Sequence, residues 1–441
     1  MLQYIIAFFT VLVFLVLFFL KPKIETYVLY VLTAMPFLDT KILPLAFGFV
    51  KAFDVITIIT LVFLSKEFLL INYKLKYRVY TVLGILLVLF SLLSGLNSEF
   101  GFSTYYAYYP LFTIFIFIRF LFLFSNKVNG SNWRILKALK TGFLIALIFM
   151  TVQIVIGPTF SLYSGLGLNV LNEETGIIRY SGVFAESQFN GQFLAMGCFI
   201  FLIIPTSISK SKQLLNYFGF ALSMFYLLLA GSRSAMGGFL IGLILLFIFS
   251  DLRIKIYGVL LGVFALISLF IIAPNNGIFS RTDNLGDDLD FRQSIWEESY
   301  HIFLENPILG IGLGNFQDFT LKYKQDLYLE ISPGELLYFT QPENGYLKIL
   351  TEQGIVVFLI FFLFFLIPIL EFAYNVFWIK ANPTAKFLIA ALLCWLTAFN
   401  TVYSLSDYRL LLIVSTILFY LIVFASSNIR SKSKLSKNVS L

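Results

Sequence analysis

Arg179, Arg233, Arg281, Arg292 and Arg409 stand out by where they fall in the chain. On the sidedness that the charges predict, eight Lys or Arg residues lie at or near the outer face: these five arginines, Lys51, Lys322 and Lys324. Of twenty on the cytoplasmic side, only Arg78, Arg134, Arg253 and Arg430 are arginine. A topology signal accepts either residue, whereas a guanidinium fork clamps phosphate or carboxylate bidentately. The chemistry they suggest is anion recognition at the outer membrane surface, with pairing to nearby acidic residues as the plainer reading. Arg233 is the sharpest case. It sits in GSRSA (Gly231 to Ala235), a short turn between two apolar spans with no acid close in sequence. A cation there is either a snorkelling anchor or a functional group. Arg179, in RYSG just before a span, invites the same reading.

The elements that must hold these side chains are membrane spans and one polar interruption. From Pro274 to Gln341 the chain carries eleven acidic and four basic side chains, its only histidine (His301) and the string NPILGIGLGNF. Elsewhere it is nearly continuous apolar segments. Hydrophobic residues make up 59% of the chain and charged ones 12%, with mean hydropathy +0.90. Soluble domains carry roughly 25% charge, so the chain reads as an all-α polytopic membrane protein. Runs long enough for a hydrocarbon core of about 30 Å fall near 2–20, 27–47, 53–71, 79–96, 107–124, 140–157, 190–207, 214–231, 234–250, 255–273, 345–368, 386–403 and 409–426. That predicts about 12–13 transmembrane helices, the lower count applying if the second run, interrupted by Pro36, Asp39, Lys41 and Pro44, is re-entrant. Residues 2–20 read as a retained span rather than a cleavable signal.

Lys and Arg crowd alternate short loops and the C-terminal tail, the positive-inside pattern. It predicts four regions: transmembrane helices with short loops over 1–273, a large extracytoplasmic loop with short helices over 274–342, C-terminal transmembrane helices over 343–426, and a basic cytoplasmic tail over 427–441. The distribution also argues against a nucleic-acid partner despite the net charge of +7. Cys198 and Cys394 lie inside spans, so neither a disulfide framework nor a thiolate metal site is implied. Within the large loop, DNLGDDLD (Asp283 to Asp290) reads as a turn or solvated strip, lacking the spacing and closing Glu of a calcium loop. FRQSIWEESYHIFLENP then reads as a helix ended by Pro307, with His301 a surface or packing residue. GIGLGN (Gly310 to Asn315) lacks the strand and helix that a dinucleotide loop needs; its glycines read as a tight turn against the membrane domain. No metal or cofactor is expected.

The ordered set RYSGVFAESQFNG, GSRSA, R…W…NPILGIGLGNF and ENGYLKILTEQGI, over about 179–355, resembles the O-antigen ligase and polymerase superfamily of bacterial surface-polysaccharide enzymes. The resemblance implies an extracytoplasmic glycosyltransferase in the cytoplasmic (inner) membrane. Its donor would be a polyprenyl-diphosphate-linked oligosaccharide and its acceptor a sugar hydroxyl. It leaves room for a chain-length regulator protein as a partner alongside the lipid bilayer. It implies diphosphate binding by Arg233 and Arg179, with Arg292 and Arg281 as lesser candidates. Ligases of the superfamily carry a histidine where this chain has Glu343, followed by Asn344. A carboxylate can act as general base in that place, or merely cap the helix beginning at Gly345. Glu352 is out of phase with Glu343 on a helix and reads as structural, anchoring the loop before Gly354. The departure favours a polymerase, with catalysis expected from Glu343 and Arg233 and substrate contacts from Arg179, Arg292, Arg281 and Asn344. A ligase to lipid A-core or protein is the near alternative. An exporter is the distant one, against which stands the lack of an evident repeat.

Overall fold

A computed structural model describes residues 2–45, 48–69, 75–100, 102–128, 130–157, 160–163, 178–204, 209–249, 285–324, 328–332, 335–338, 341–374 and 386–438. Arg281 and the candidate span 255–273 lie outside them. The protein is an all-α polytopic membrane protein. Six described helices are long and apolar enough to cross a bilayer: Leu2–Leu20 (α1), Val79–Leu96 within Leu75–Leu96 (α5), Ala107–Lys127 within Phe102–Lys127 (α6), Ser131–Ile156 (α7), Lys210–Ala230 (α9) and Gly345–Ala373 (α13). Shorter apolar helices or helix portions fill most of the other candidate runs: Ile24–Thr33 (α2), Ala52–Phe63 (α3), Ser187–Phe201 (α8), Arg233–Ile248 (α10), Lys386–Phe399 (α14) and Tyr408–Val423 within Tyr408–Asn438 (α15).

The second candidate run departs most from a simple span. Its helix α2 has ten residues, about 15 Å at 1.5 Å per residue, half a hydrocarbon core. The polar residues that interrupt the run then build an antiparallel hairpin, Lys41–Leu45 (β1) against Gly48–Lys51 (β2). Period-3.6 reading cannot anticipate such a turn back. The polar loop holds a second hairpin, Tyr328–Ser332 with Glu335–Tyr338 (β3 and β4), and two helices, Leu285–Glu305 (α11) and Phe316–Tyr323 (α12). α11 begins six residues before Phe291, so most of the acidic strip expected to be a turn is helical.

At the centre stands α8, with nearly every residue buried. An all-round apolar helix is stable only when surrounded, and α7, α9, α10 and α14 surround this one. Gly238 and Gly242, four residues apart on α10, let that helix lie against α14: a Cβ on Gly238 would meet the Cys394 carbonyl oxygen at 2.3 Å. Small residues at this spacing are how membrane helices reach backbone contact. At the far end of α8, Lys140 donates to the carbonyls of Phe201 (3.3 Å) and Ile203 (2.7 Å), a cation on the negative end of a helix.

The polar loop is tied down at a break in α13. Gly354 there has φ 75° and ψ 178°, a conformation open to glycine. The interruption frees backbone groups that 306–316 takes up. Ile311 N–H donates to Thr351 O (3.2 Å), Gly312 N–H to Glu352 O (2.7 Å) and Ile355 N–H to Pro307 O (2.9 Å). The fully buried Glu352 carboxylate accepts from Gly314 N–H (3.0 Å) and Phe316 N–H (3.2 Å) and pairs with Lys348 at 2.8 Å. The amides of Ile311, Gly312 and Gly314 within GIGLGN are thus spent on α13, and Glu352 anchors the loop.

Candidate active site

Four helices begin at one end of the bundle: α8, α10, α13 and α15. Their starts are stitched together by short polar contacts. A Cβ on Gly191 of α8 would lie 2.5 Å from the Ser232 Cβ, so α8 rests against the turn that opens α10. Gln192 Nε2 donates to Ala398 O (3.4 Å) near the end of α14. Asn400, just beyond, accepts from Asn344 Nδ2 (3.1 Å) at the start of α13. A helix N-terminus presents unpaired N–H groups and a partial positive charge, so several starts converging there favour an anion.

Arg233 is the first residue of α10, half-buried, after Ser232, whose hydroxyl accepts from Ala235 N–H (3.4 Å). Arg179 lies over the same turn: its Nε approaches the Ala230 carbonyl at 3.5 Å, and a Cβ on Gly231 would meet its Cγ at 3.2 Å. Tyr180 N–H donates to Leu229 O (3.2 Å), fixing this strand of chain to the end of α9. Two arginines 54 positions apart in sequence therefore share one turn.

Glu343 precedes α13 with φ 51°, the only described non-glycine residue with positive φ. Such a conformation costs of order 1–3 kcal/mol and concentrates at functional sites. Glu343 does not cap the helix. That task falls to Asn344, whose Oδ1 accepts from Tyr346 N–H (3.0 Å) and Leu347 N–H (3.1 Å). With its amide on Asn400 as well, Asn344 is engaged on both sides and holds Glu343 in place. Burial pushes the Glu343 carboxyl above its ordinary range, and Arg292 on α11 pulls it back toward the charged form. His301, further along α11, is exposed.

Residues outside the expected set complete the site. Glu186 occupies the N-cap position of α8 without capping it. Its side chain is exposed, and its pKa is raised by burial of its surroundings, then by Glu343 and Asp407, with Arg179 opposing. Glu186 sits inside RYSGVFAESQFNG, where an acid after two apolar residues carries no periodic signal. Arg409, one of the five outer-face arginines, is fully buried and committed. It pairs with Asp407, lies 3.7 Å from Asp39, donates to the Val183 carbonyl and covers the Phe184 ring at 4.0 Å. Asp39 also pairs with Lys51 at 2.7 Å and accepts from Tyr408 N–H (3.1 Å), tying the β1–β2 hairpin to α15. Burial opposes the Lys51 ammonium, but Asp39 outweighs it and holds the lysine above its usual range.

Beside this junction an apolar groove of about 100 Å³ runs between α5, α6, α13 and α15. Leu87, Ile114, Val357 and Phe361 line it, and Tyr403 and Leu405, from the loop carrying Asp407, close one end.

Fold and site together define a multi-pass helical membrane protein with arginines, carboxylates and helix starts gathered at one end of its bundle. Residues 218–362 match the family model described as O-antigen ligase, consistent with the ligase and polymerase superfamily. That segment, about a third of the chain, includes Arg233, Arg292, Glu343 and Glu352. Arg179, Glu186, Asp407 and Arg409 lie outside it. The match points to a glycosyl-transferring enzyme. No curated protein sequence matches the chain.

Proposed function

We infer that this protein is a polymerase of a bacterial surface polysaccharide, an O-antigen, capsule or exopolysaccharide. It transfers glycan from a polyprenyl-diphosphate donor to a sugar hydroxyl of a second lipid-linked unit, on the outer face of the cytoplasmic membrane. The observation that carries this reading is the meeting of Arg179 and Arg233 on one turn, at the same end as a strained glutamate that forms no ion pair among the described residues. The apolar groove between α5, α6, α13 and α15 suits a substrate with a long hydrocarbon anchor.

Arg233 and Arg179 hold the diphosphate, aided by the uncapped start of α8. Arg292 keeps Glu343 charged. Glu343 takes the proton from the acceptor hydroxyl as its oxygen bonds to the anomeric carbon. The bond from that carbon to the diphosphate oxygen breaks, and its electron pair leaves with the lipid diphosphate. The proton passes from Glu343 to solvent. Preorganised donors aimed at a leaving group's growing charge are worth roughly 10²–10³ each in rate. With Glu343 as base, turnover falls as pH drops through its raised pKa, so the acid limb lies above the ordinary carboxylate range.

The test is purified protein in lipid with its native polyprenyl-diphosphate oligosaccharide, products resolved by chain length. A ladder of longer chains is expected from the wild type and none from Arg233→Ala, with the variant still in the membrane. Wild-type polymer from that variant would sink the assignment. The family description makes a ligase the second reading; there the donor is consumed only when lipid A-core or protein acceptor is added. Unconsumed donor under every condition would point to transport instead.

A further inference from the structure

We propose that the end of α11 and the turn after it rest on the lipid of the outer leaflet, through a stripe of exposed apolar side chains. The partner is a lipid surface. The inference stands on the membrane fold and not on the catalytic reading above.

The stripe is written at helical spacing. Trp296, Tyr300 and Leu304 follow at four-residue intervals on α11, and Ile308 continues the interval just past its end. Residues four apart share one face of a helix. Tyr300 is 51% exposed, Leu304 52% and Ile308 63%, while Trp296 is half-buried. The side of α11 that packs inward is a different one, made by Ile295, Ser299 and Ile302. The acids of these turns, Glu298 and Glu305, stand off the stripe, and Lys324 holds both, at 2.9 and 3.4 Å. A lone exposed leucine is ordinary, whereas large apolar groups in a continuous row mark a contact surface.

The height of the stripe says what it touches. α11 comes down beside the first turns of α13: Thr351 Oγ1 donates to Ser299 O (3.2 Å), and Ile355 N–H to Pro307 O (2.9 Å). A Cβ on Gly354 would meet Ile308 O at 2.2 Å, so Ile308 sits against the break from which the membrane portion of α13 runs. Leu359, one turn past Ile355 on the same face, is exposed, as are Phe362 and Leu363. The helix α5 gives the same level independently. Ser91 Oγ donates to Gln353 Oε1 (2.7 Å) and Ser94 Oγ to Glu352 O (2.9 Å). The break therefore lies beside the upper turns of the apolar span Val79–Leu96, whose Leu89, Leu92 and Leu93 are exposed too. Ile308 is level with side chains that face hydrocarbon, and Leu304, Tyr300 and Trp296 follow in successive turns away from it. Aromatic rings with a polar tip beyond aliphatic groups reproduce the order of a membrane interface.

The experiment places a nitroxide on single introduced cysteines in the whole chain, in phosphatidylcholine vesicles. Cys198 and Cys394 are buried and take no label. Leu304→Cys, Ile308→Cys and Leu359→Cys are compared with Gln293→Cys, an exposed site about three turns before Leu304 on α11. All four side chains are exposed, so the variants should fold. Relaxation of each label is measured with oxygen, which concentrates in hydrocarbon, and with a water-soluble nickel chelate. Labels at 304 and 308 should follow that at 359, favouring oxygen several-fold, with 308 the deeper of the two. The label at 293 should favour nickel. Labels at 304 and 308 that behave like the one at 293 overturn the proposal. Shielding from both reagents also overturns it, because protein then covers the stripe; dipolar broadening between labelled chains would identify that cover as a second copy.

Discussion

Two groups of charges lie close together at one end of the bundle, and they are built on opposite plans. In the junction of Lys51, Asp39, Arg409 and Asp407 each cation has a carboxylate in contact, the side chains are largely buried, and backbone groups fill the remaining positions. At the helix starts, Glu343 forms no ion pair among the described residues, and Arg179, Arg233, Arg292 and Glu343 are only half-buried. Completed, buried pairs make a joint. The difference matters for arginine above all, because Arg409 and Arg233 look alike in sequence: each stands at the start of an apolar run. Asp407, two positions before Arg409, is what separates them.

That contrast is open to direct tests. Arg233→Ala should remove polymer synthesis, a loss of at least the roughly 10²–10³ that one such donor contributes, with unfolding temperature and membrane abundance unchanged. Glu352→Ala probes a completed pair and should act the other way. It leaves Lys348 buried without its partner and two loop amides unbonded. Breaking one side of a buried pair costs about 3–5 kcal/mol, which thermal unfolding in detergent would register as a clear drop. Asn344→Ala should cost about 1 kcal/mol through the lost cap, yet reduce turnover more than that figure suggests, because Glu343 loses its brace; Asn344→Asp should restore the cap. At the bottom of the scale, Lys322→Ala removes an exposed contact to Glu99. Surface pairs contribute little, so both stability and turnover should stay at wild-type levels.

The sequence made parts of this design readable and hid others for physical reasons. Apolar runs such as 2–20 and 345–368 stood out because a bilayer demands continuous hydrophobicity, and the structure has helices there. Pro36, Asp39 and Lys41 weakened the second run visibly, but a hairpin depends on pairing between β1 and β2 that no single-strand pattern encodes. The glycines of GIGLGN announced a tight turn; their partner, the break at Gly354, became evident only in three dimensions. Arg233 was conspicuous as a cation between apolar spans. Glu186 was not, because an acid beside a helix start is ordinary, and the influence of Glu343 on it reaches across more than 150 positions of chain. Asp407 was silent for the same reason, and Asp39 showed only as an interruption, not as a partner of Lys51 and Arg409.

The break at Gly354 has a mechanical consequence. It divides α13 into a long membrane portion and a short stub, Gly345–Gln353, that begins just after Glu343. The stub is bonded to the polar loop through Thr351 and Glu352 and to the end of α14 through Asn344 and Asn400. Loop, stub and Glu343 are therefore held as one piece, so a load on the loop is passed to Glu343 rather than absorbed before it.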